Sequence, residues 1–165
     1  MLENKSGLIW LWVTVVLLVL DQVTKYVVST QMQLYQSIEL LPVFNFTYVH
    51  NYGAAFSFLS EAGGWQRWFF SIIAISISVL LTYWLKKLPA KNLVLCGAYS
   101  LVLAGALGNL YDRLTYGYVI DFIHVYYDTW HFPAFNIADS AICIGAGLLL
   151  LDAFRDQKSE DVKND

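Results

Sequence analysis

Hydrophobic residues gather in four long windows along the chain, and most charged residues lie between these windows. The windows cover residues 8–27, 68–85, 92–111 and 134–151. The second and third windows hold no charged residue, and the other two hold only Asp21, Lys25 and Asp139. A helix needs about 20 apolar residues to cross the hydrocarbon core of a bilayer. The pattern therefore predicts four transmembrane helices, at about residues 8–28, 67–85, 92–113 and 134–154.

Two segments outside the windows have the composition of short strands. Residues 37–50 and 118–126 are rich in β-branched and aromatic residues, with partial two-residue alternation. They lie within the connecting segments 29–66 and 114–133. We therefore expect an all-α membrane protein, a single domain over residues 1–165, whose two connecting segments form a small β-rich cap.

The positive charges of the connecting segments are unevenly distributed. The N-terminal segment, the loop at 86–91 and the C-terminal tail hold seven of the ten Lys and Arg residues. The two longer connecting segments, counted with their flanking residues as 28–67 and 112–133, hold only Arg67 and Arg113. Cytoplasmic loops of membrane proteins are enriched in Lys and Arg. This distribution predicts that both termini are cytoplasmic and that the cap faces outward. The charged residues 156–165 are predicted to be a disordered tail.

Composition excludes several other classes of protein. Of the 165 residues, 58% are hydrophobic and 14% are charged, and the formal net charge is −3. Soluble domains average about 45–50% apolar and about 25% charged residues. These values exclude a disordered chain and a basic nucleic-acid-binding protein, and two cysteines are too few for a disulfide framework. We expect contact with membrane lipids, no nucleic acid and a monomer.

Polar residues within the predicted helices converge at one depth. With the orientation above, they lie toward the outer ends of the first, third and fourth helices: Asp21, Lys25, Asn109, Asp112, Arg113, Asn136 and Asp139. Polar groups inside a membrane segment are costly and usually functional. Their common depth indicates a site that is reached from the outer side.

Several of these residues also have a purely structural interpretation. Asp21 and Lys25 are spaced i,i+4 and could be a buried ion pair, and Arg113 could simply neutralise Asp112. Asp139 has no basic residue within one helical turn, which favours a functional role. By position alone, Asp121 is an ordinary acidic residue of an outer segment.

Other chemistry is less well supported by the residue pattern. Lys25 and Ser29 have the i,i+4 spacing of a Ser/Lys dyad. The three histidines lack a metal-binding spacing such as HExxH, so no metal site is predicted. A proton-coupled transporter that uses Asp21, Asp112 and Asp139 as a relay, and a non-catalytic membrane scaffold, remain alternatives.

Five short motifs, in order along the chain, resemble those of the lipoprotein signal peptidases, also called signal peptidase II. The motifs are DQVTK at 21–25, NYGAAF at 51–56, GNLYDR at 108–113, VIDFI at 119–123 and FNIAD at 135–139. These enzymes are aspartyl peptidases of the bacterial inner membrane. The resemblance extends over nearly the whole chain, and its specificity comes from the order of the motifs.

The resemblance implies a fold, a reaction and a set of site residues. The implied fold has four transmembrane helices, a β-cradle and a short amphipathic helix, which we place near residues 60–66. Asp121 and Asp139 are the implied catalytic residues. The motifs also match positions that support the pair or bind substrate: Asp21, Lys25, Asn51, Gly53, Gly108, Asn109, Asp112, Arg113 and Asn136, with Ala55 and Phe56 completing the second motif.

The implied substrate is a prolipoprotein whose cysteine already carries diacylglycerol. Cleavage on the N-terminal side of that cysteine would release the signal peptide. No metal or cofactor is implied. The implied location is the bacterial inner membrane, with the active site toward the periplasmic face. Two carboxylates that share a proton suit peptide hydrolysis, because one can take a proton from water while the other donates one to the carbonyl oxygen.

Overall fold

Four long helices account for most of the chain. The computed structural model describes residues 5–53 and 63–164, with side chains of the last helix as far as residue 155. The helices are α1 (Leu11–Gln31), α2 (Gln66–Lys87), α3 (Leu93–Thr115) and α4 (Ile137–Asn164), and a 3₁₀ turn at Gly7–Trp10 leads into α1. Each helix is long and apolar enough to cross a membrane. The predicted architecture of four transmembrane helices is confirmed.

The last helix differs from the sequence prediction at both ends. It begins at Ile137 rather than at residue 134, because Asn136 caps its first turn. It also continues to Asn164, through most of the segment for which the sequence predicts a disordered tail. The reason is that the charged segment after Gly147 contains no Gly or Pro to end the helix.

Small residues allow α3 to pack closely between the other three helices. A methyl group at Gly145 would lie 2.8 Å from the carbonyl oxygen of Ala98, and one at Gly105 would overlap the carbonyl oxygen of Ala138. Both contacts join α3 to α4. Since lipid chains are as apolar as leucine, helices in membranes associate through such close packing. The α3–α4 contact therefore fixes the two helices that bear most of the polar residues.

The cap is a four-stranded antiparallel sheet in the order β1-β2-β3-β4. Its strands are β1 (Ser37–Leu41), β2 (Phe44–Asn51), β3 (Val119–Tyr127) and β4 (Trp130–His131). Both predicted strand segments are therefore confirmed. Tyr48, Ile120 and Phe122 of the sheet pack with Val28 of α1. Because these residues are buried together, the sheet lies directly on the end of α1.

A sharp turn joins α3 to β3. Gly117 has a φ of 89°, a left-handed conformation that favours glycine. Its N–H donates to the carbonyl oxygen of Arg113 at 3.1 Å. The chain therefore reverses within a few residues, and Asp121 of β3 returns to the helix end that carries Asp112.

The N-terminal segment and the loop at 86–91, both predicted to be cytoplasmic, lie together at the end of the helices opposite to the sheet. The Ser6 hydroxyl donates to the carbonyl oxygen of Lys86 at 2.9 Å, and the Ala90 N–H donates to that of Lys5 at 2.8 Å. The N-terminal segment is thus bound to the loop between α2 and α3.

Three tryptophans, Trp65, Trp68 and Trp130, are exposed, as an aromatic belt at the membrane surface requires.

Two expectations fall on residues 54–62, which lie outside the described residues. These are the positions of Ala55 and Phe56 in the second motif, and the first residues of the amphipathic helix placed near 60–66. Within the described part of that range, residues 63–65 form a turn and α2 begins at Gln66.

Candidate active site

Three buried charges join α1 to α3. The Lys25 ammonium lies 2.8 Å from Asp21 Oδ2 and 2.9 Å from Asp112 Oδ2. All three side chains are almost fully buried. The i,i+4 pair that the sequence predicts is therefore present, but α3 adds a second carboxylate to it. We call Asp21, Lys25 and Asp112 the charge clamp.

Two asparagines connect the charge clamp to the aspartates of the cap and of α4. Lys25 Nζ donates to Asn109 Oδ1 at 3.0 Å, and Asn109 Nδ2 donates to Asp139 Oδ1 at 2.8 Å. Asn136 Nδ2 lies 3.2 Å from Asn109 Oδ1 and 2.7 Å from Asp121 Oδ1. Asp121 and Asp139, which we call the aspartate pair, are thus held by one network of amide side chains.

Asn136 and Asp139 also form the start of α4. Asn136 Oδ1 accepts from the Asp139 N–H at 2.8 Å, and Asp139 Oδ2 lies 3.3 Å from the Asn136 N–H. This reciprocal arrangement is a capping box, with aspartate in place of the usual glutamate. The predicted fourth helix, residues 134–154, includes Asn136, whereas the structure places Asn136 at the N-cap. The cap fixes the backbone of Asp139 and leaves its side chain half-buried.

Asp121 is the more deeply buried member of the pair. Its side chain has an exposed fraction of 2%, and its Oδ2 accepts from Asn51 Nδ2 at 2.9 Å. Burial raises the pKa of Asp121, and the negative charge of Asp139 raises it further, to about 7. The amide hydrogen bonds and Lys25 only partly offset this rise. Asp121 is therefore able to exchange a proton near neutral pH.

Arg113 has a different role from the one that its sequence position suggests. It was a candidate to neutralise Asp112, but the ion pair of Asp112 among the described residues is with Lys25. Arg113 Nη2 instead donates to the carbonyl oxygen of Gly53 at 2.8 Å. The Gly53 N–H donates to Asn51 Oδ1 at 2.9 Å. Arg113 therefore holds the segment that presents Asn51 to Asp121.

Gly108 permits the close approach of α1 and α3 at the site. A methyl group on Gly108 would lie 2.6 Å from Asp21 Oδ2 and 3.3 Å from the Ala138 side chain. The structure thus brings together all eleven residues that the sequence analysis assigns to the site. It also adds Gln22, whose amide lies between Asp21 and Asp112. A sequence signal for Gln22 existed, since it lies three residues before Lys25 on the same helix face.

The contacts of Lys25 are unfavourable to a Ser/Lys dyad. Its ammonium is bound by three side-chain oxygens, from Asp21, Asp112 and Asn109. The Ser29 hydroxyl donates to the carbonyl oxygen of Tyr26 at 3.0 Å. Neither group is oriented toward the other as nucleophile and base require.

Two cavities border Asp139. One of about 190 Å³ lies between α2, α3 and α4, where Asn51 and Arg113 contribute to its lining. The other, of about 300 Å³, is lined by mainly apolar residues, including Phe132, Phe135 and Ile144. The half-buried carboxylate is therefore accessible to a bound molecule, and the two cavities offer it a partly polar side and an apolar side.

The pair has the properties of an acid–base site. In the described part of the chain, no Lys or Arg forms an ion pair with Asp121 or Asp139, whereas both clamp aspartates contact Lys25. The negative charge of Asp139 raises the pKa of Asp121, so the two carboxylates do not both ionise easily. One can then accept a proton while the other donates one.

Known proteins resemble the chain over almost its whole length. A family model described as Signal peptidase (SPase) II matches residues 13–155. A lipoprotein signal peptidase of Pseudoalteromonas translucida is 66% identical over 162 residues, which cover 98% of each chain. One from Shewanella pealeana is 60% identical over 162 residues, covering 96% of this chain and 95% of the relative.

Solved structures agree in fold. Two bacterial membrane enzymes superpose with TM-scores of 0.82 and 0.80, at 40% and 39% sequence identity. The first comparison covers 91% of this chain and 90% of the other, and the second covers 94% and 99%. Signal peptidase II is a protease, which is unlike the transporter and scaffold alternatives. With a family match over most of its length and close relatives of the same kind, this integral membrane protein belongs to the signal peptidase II family of lipoprotein signal peptidases.

Proposed function

We propose that the protein removes signal peptides from diacylglyceryl-modified prolipoproteins, with Asp121 and Asp139 as its catalytic pair. Membership in the signal peptidase II family supports the prolipoprotein substrate. The observation that carries the mechanism is that both carboxylates share the Asn136 and Asn109 network without a cation of their own. A structural carboxylate at this depth would be expected to have a positive partner, as Asp21 and Asp112 do.

The proposed reaction needs one proton on the pair. The ionised carboxylate takes a proton from a water molecule, whose oxygen attacks the carbonyl carbon before the lipidated cysteine. The protonated carboxyl donates its proton to the carbonyl oxygen. When the tetrahedral intermediate collapses, the C–N bond breaks and the amine of the cysteine receives the proton that was taken from water. A hydroxyl of the intermediate returns its proton to the other carboxylate, so the pair again holds one proton. The raised pKa of Asp121, about 7, supports a pair that holds one proton at neutral pH.

The amide side chains suit a site whose charge changes during the reaction. Asn51 and Asn136 each donate to a different oxygen of Asp121, at 2.9 and 2.7 Å, and so fix the plane of its carboxylate. Asn109 similarly orients Asp139. A neutral donor stabilises an ionised carboxylate less than a cation does, so the proton remains easy to gain and to lose.

The position of the pair supports a substrate at the membrane surface. Asp139 lies in the first turn of α4, and Asp121 lies in the sheet that covers the helix ends. We propose that the helix ends at this site face the periplasm, that both termini are cytoplasmic and that the protein acts as a monomer in the inner membrane. The apolar cavity beside Asp139 would accept lipid or signal-peptide side chains.

The decisive experiment measures turnover by the Asp121→Asn and Asp139→Asn variants in purified form. The substrate is a prolipoprotein peptide with a diacylglyceryl cysteine, and mass spectrometry locates the cleaved bond. We expect kcat to fall by about 10³-fold or more in each variant, because a general acid or base contributes about 10²–10⁴-fold. The expected products begin at the lipidated cysteine.

Asp128→Asn is the matched control. Asp128 is an exposed residue of the cap with a φ of 53°, a conformation that asparagine also adopts. This variant should retain wild-type turnover. Retained turnover in either pair variant, with a normal elution profile and an unfolding midpoint no lower than that of the wild type, would refute the two-aspartate mechanism. Equal cleavage of a peptide with an unmodified cysteine would refute the proposed substrate.

A further inference from the structure

Each clamp aspartate holds the backbone next to one member of the aspartate pair. Asp21 Oδ1 accepts from the N–H of Ala138, the residue before Asp139, at 2.9 Å. Asp112 Oδ2 accepts from the N–H of Ile120, the residue before Asp121, at 3.1 Å. The distance between the two clamp carboxylates therefore helps to set the distance between the two proposed catalytic residues.

Two side chains bridge the clamp carboxylates, and both come from α1. Lys25 is one bridge, through its ammonium. Gln22 is the other, because its Nε2 lies 3.1 Å from Asp21 Oδ2 and 3.0 Å from Asp112 Oδ1. The same nitrogen lies 3.3 Å from the carbonyl oxygen of Gly108. An amide nitrogen has two hydrogens, and the two shorter contacts assign them to the carboxylates.

The charge of the cluster explains why the second bridge is neutral. Lys25 supplies one positive charge to two carboxylates, which leaves a net negative charge beside the aspartate pair. A third carboxylate or an apolar residue at position 22 would leave Asp112 Oδ1 without this donor. Asp112 is 0% exposed, so water does not readily replace the lost hydrogen bond. The amide gives both carboxylates a donor without altering the charge.

We infer that Gln22 is a positioning residue of the reaction, which acts through Asp21 and Asp112 to fix the separation of Asp121 and Asp139. Gln22 contacts neither member of the pair among the described hydrogen bonds. Its effect passes through the backbone at Ala138 and Ile120. This inference rests on the proposed two-aspartate mechanism and adds to it a residue that controls its geometry.

A charge swap tests this role. Gln22→Glu places a third carboxylate around one ammonium, and Asp112→Asn leaves two amides facing each other. In the double variant, the amide at position 112 donates to the carboxylate at position 22, while its oxygen still accepts from the Ile120 N–H. The hydrogen bond between positions 22 and 112 is then restored with donor and acceptor exchanged, and the total charge equals that of the wild type, whereas the hydrogen bond to Asp21 is not restored.

We expect kcat to fall by about 100-fold in each single variant, because a displacement of about 1 Å in a catalytic group has an effect of this size. The double variant should recover to within about 10-fold of wild type, and KM should stay within about twofold throughout. Gln22→Met removes both hydrogen bonds at similar volume and should also lower kcat without raising KM. Gln31→Glu, at the exposed end of the same helix, is the matched control and should leave kcat unchanged.

The outcomes separate this inference from the function on which it rests. Wild-type kcat in Gln22→Glu and Gln22→Met would refute the positioning role, as would a double variant no faster than the slower single variant. A loss of folded protein with unchanged kcat per folded molecule would make Gln22 merely structural, which also refutes it. Turnover by Asp121→Asn or Asp139→Asn would instead refute the proposed mechanism.

Discussion

The charge clamp and the aspartate pair lie side by side, and both contain two buried or half-buried aspartates. In the clamp, Lys25 contacts both carboxylates at under 3 Å. In the pair, the described hydrogen bonds come from asparagine amides and backbone N–H groups instead. The clamp aspartates and the pair aspartates are separated by the side chain of Asn109, yet the negative charge of the first set is balanced by a cation and that of the second set is not.

The difference separates a structural use of carboxylates from a chemical one. A carboxylate with an ammonium partner has its charge balanced within the protein and serves as a fixed attachment point for backbone N–H groups. A carboxylate held only by neutral donors gains and loses a proton near neutral pH, as the raised pKa of Asp121 indicates. A buried charge without a counterion is unfavourable for folding. We therefore expect the clamp to raise the free energy of unfolding and the aspartate pair to lower it.

Removal of the clamp cation should have the largest effect on stability. Lys25→Met leaves Asp21 and Asp112 buried without their ammonium, and loss of one partner of a buried ion pair costs about 3–5 kcal/mol. We expect a large drop in the unfolding midpoint in detergent, measured by intrinsic tryptophan fluorescence. Addition of Asp21→Asn and Asp112→Asn should recover part of the loss. A Lys25→Met variant as stable as wild type would contradict the division between clamp and pair.

Crowding of the clamp should have an intermediate effect. Gly108→Ala places a methyl group 2.6 Å from Asp21 Oδ2, and overpacking of this kind costs about 1–3 kcal/mol. The same chemical change at Gly147 of α4 meets nothing within 4 Å and serves as the control. Gly108→Ala should lower the unfolding midpoint and kcat together, while Gly147→Ala should leave kcat unchanged. Equal midpoints in the two variants would show that α1 and α3 adjust freely at this contact.

The smallest expected effect is a gain in stability. The pKa of Asp121 lies at about 7 in the folded protein, above its ordinary value of 3.8, so the folded state binds the proton more tightly than the unfolded chain. Its contribution to stability therefore falls as pH rises from about 4 to about 7, and stays low above that range. Asparagine does not titrate, so Asp121→Asn should raise the unfolding midpoint relative to wild type more at pH 8 than at pH 5, by about 5 °C. A difference that does not change with pH would contradict the raised pKa.

The sequence predicts the helices well because each apolar window is long and nearly free of charge. It also predicts the contact of Asp21 with Lys25, since i,i+4 neighbours share a helix face. It does not predict that Asp112, on another helix, contacts the same ammonium, because that contact depends on the register of α1 against α3. The predicted start of α4 lies three residues before the observed one, because residues 134–136 are as compatible with an apolar window as with a capped loop.

The site was predicted unevenly for similar reasons. Asp139 stands out in the sequence as a charge within an apolar window, whereas Asp121 lies in an ordinary strand and was identified through the family resemblance. Its burial follows from the turn at Gly117 and from the pairing of β2 with β3, both long-range properties. Gln22 was missed because its one sequence signal, a position three residues before Lys25 on the same helix face, is shared by many polar helix residues that have no role in a site.

The spacing of Asp21 and Lys25 also bears on how the chain enters the bilayer during synthesis. An isolated charge at the centre of an inserting helix costs about 2.5–3.5 kcal/mol. Because α1 has its acid and base on one face, it carries its own counterion long before α3 has been translated. Asp112 and Arg113 are likewise adjacent, so α3 enters without net charge at that point. Asp139, with no counterion on its helix turn, lies within the first turn of α4, the end that we expect to be nearest to the lipid headgroups and water. We therefore expect each segment to enter the membrane at low cost before its partners arrive, and the shared network to form afterwards.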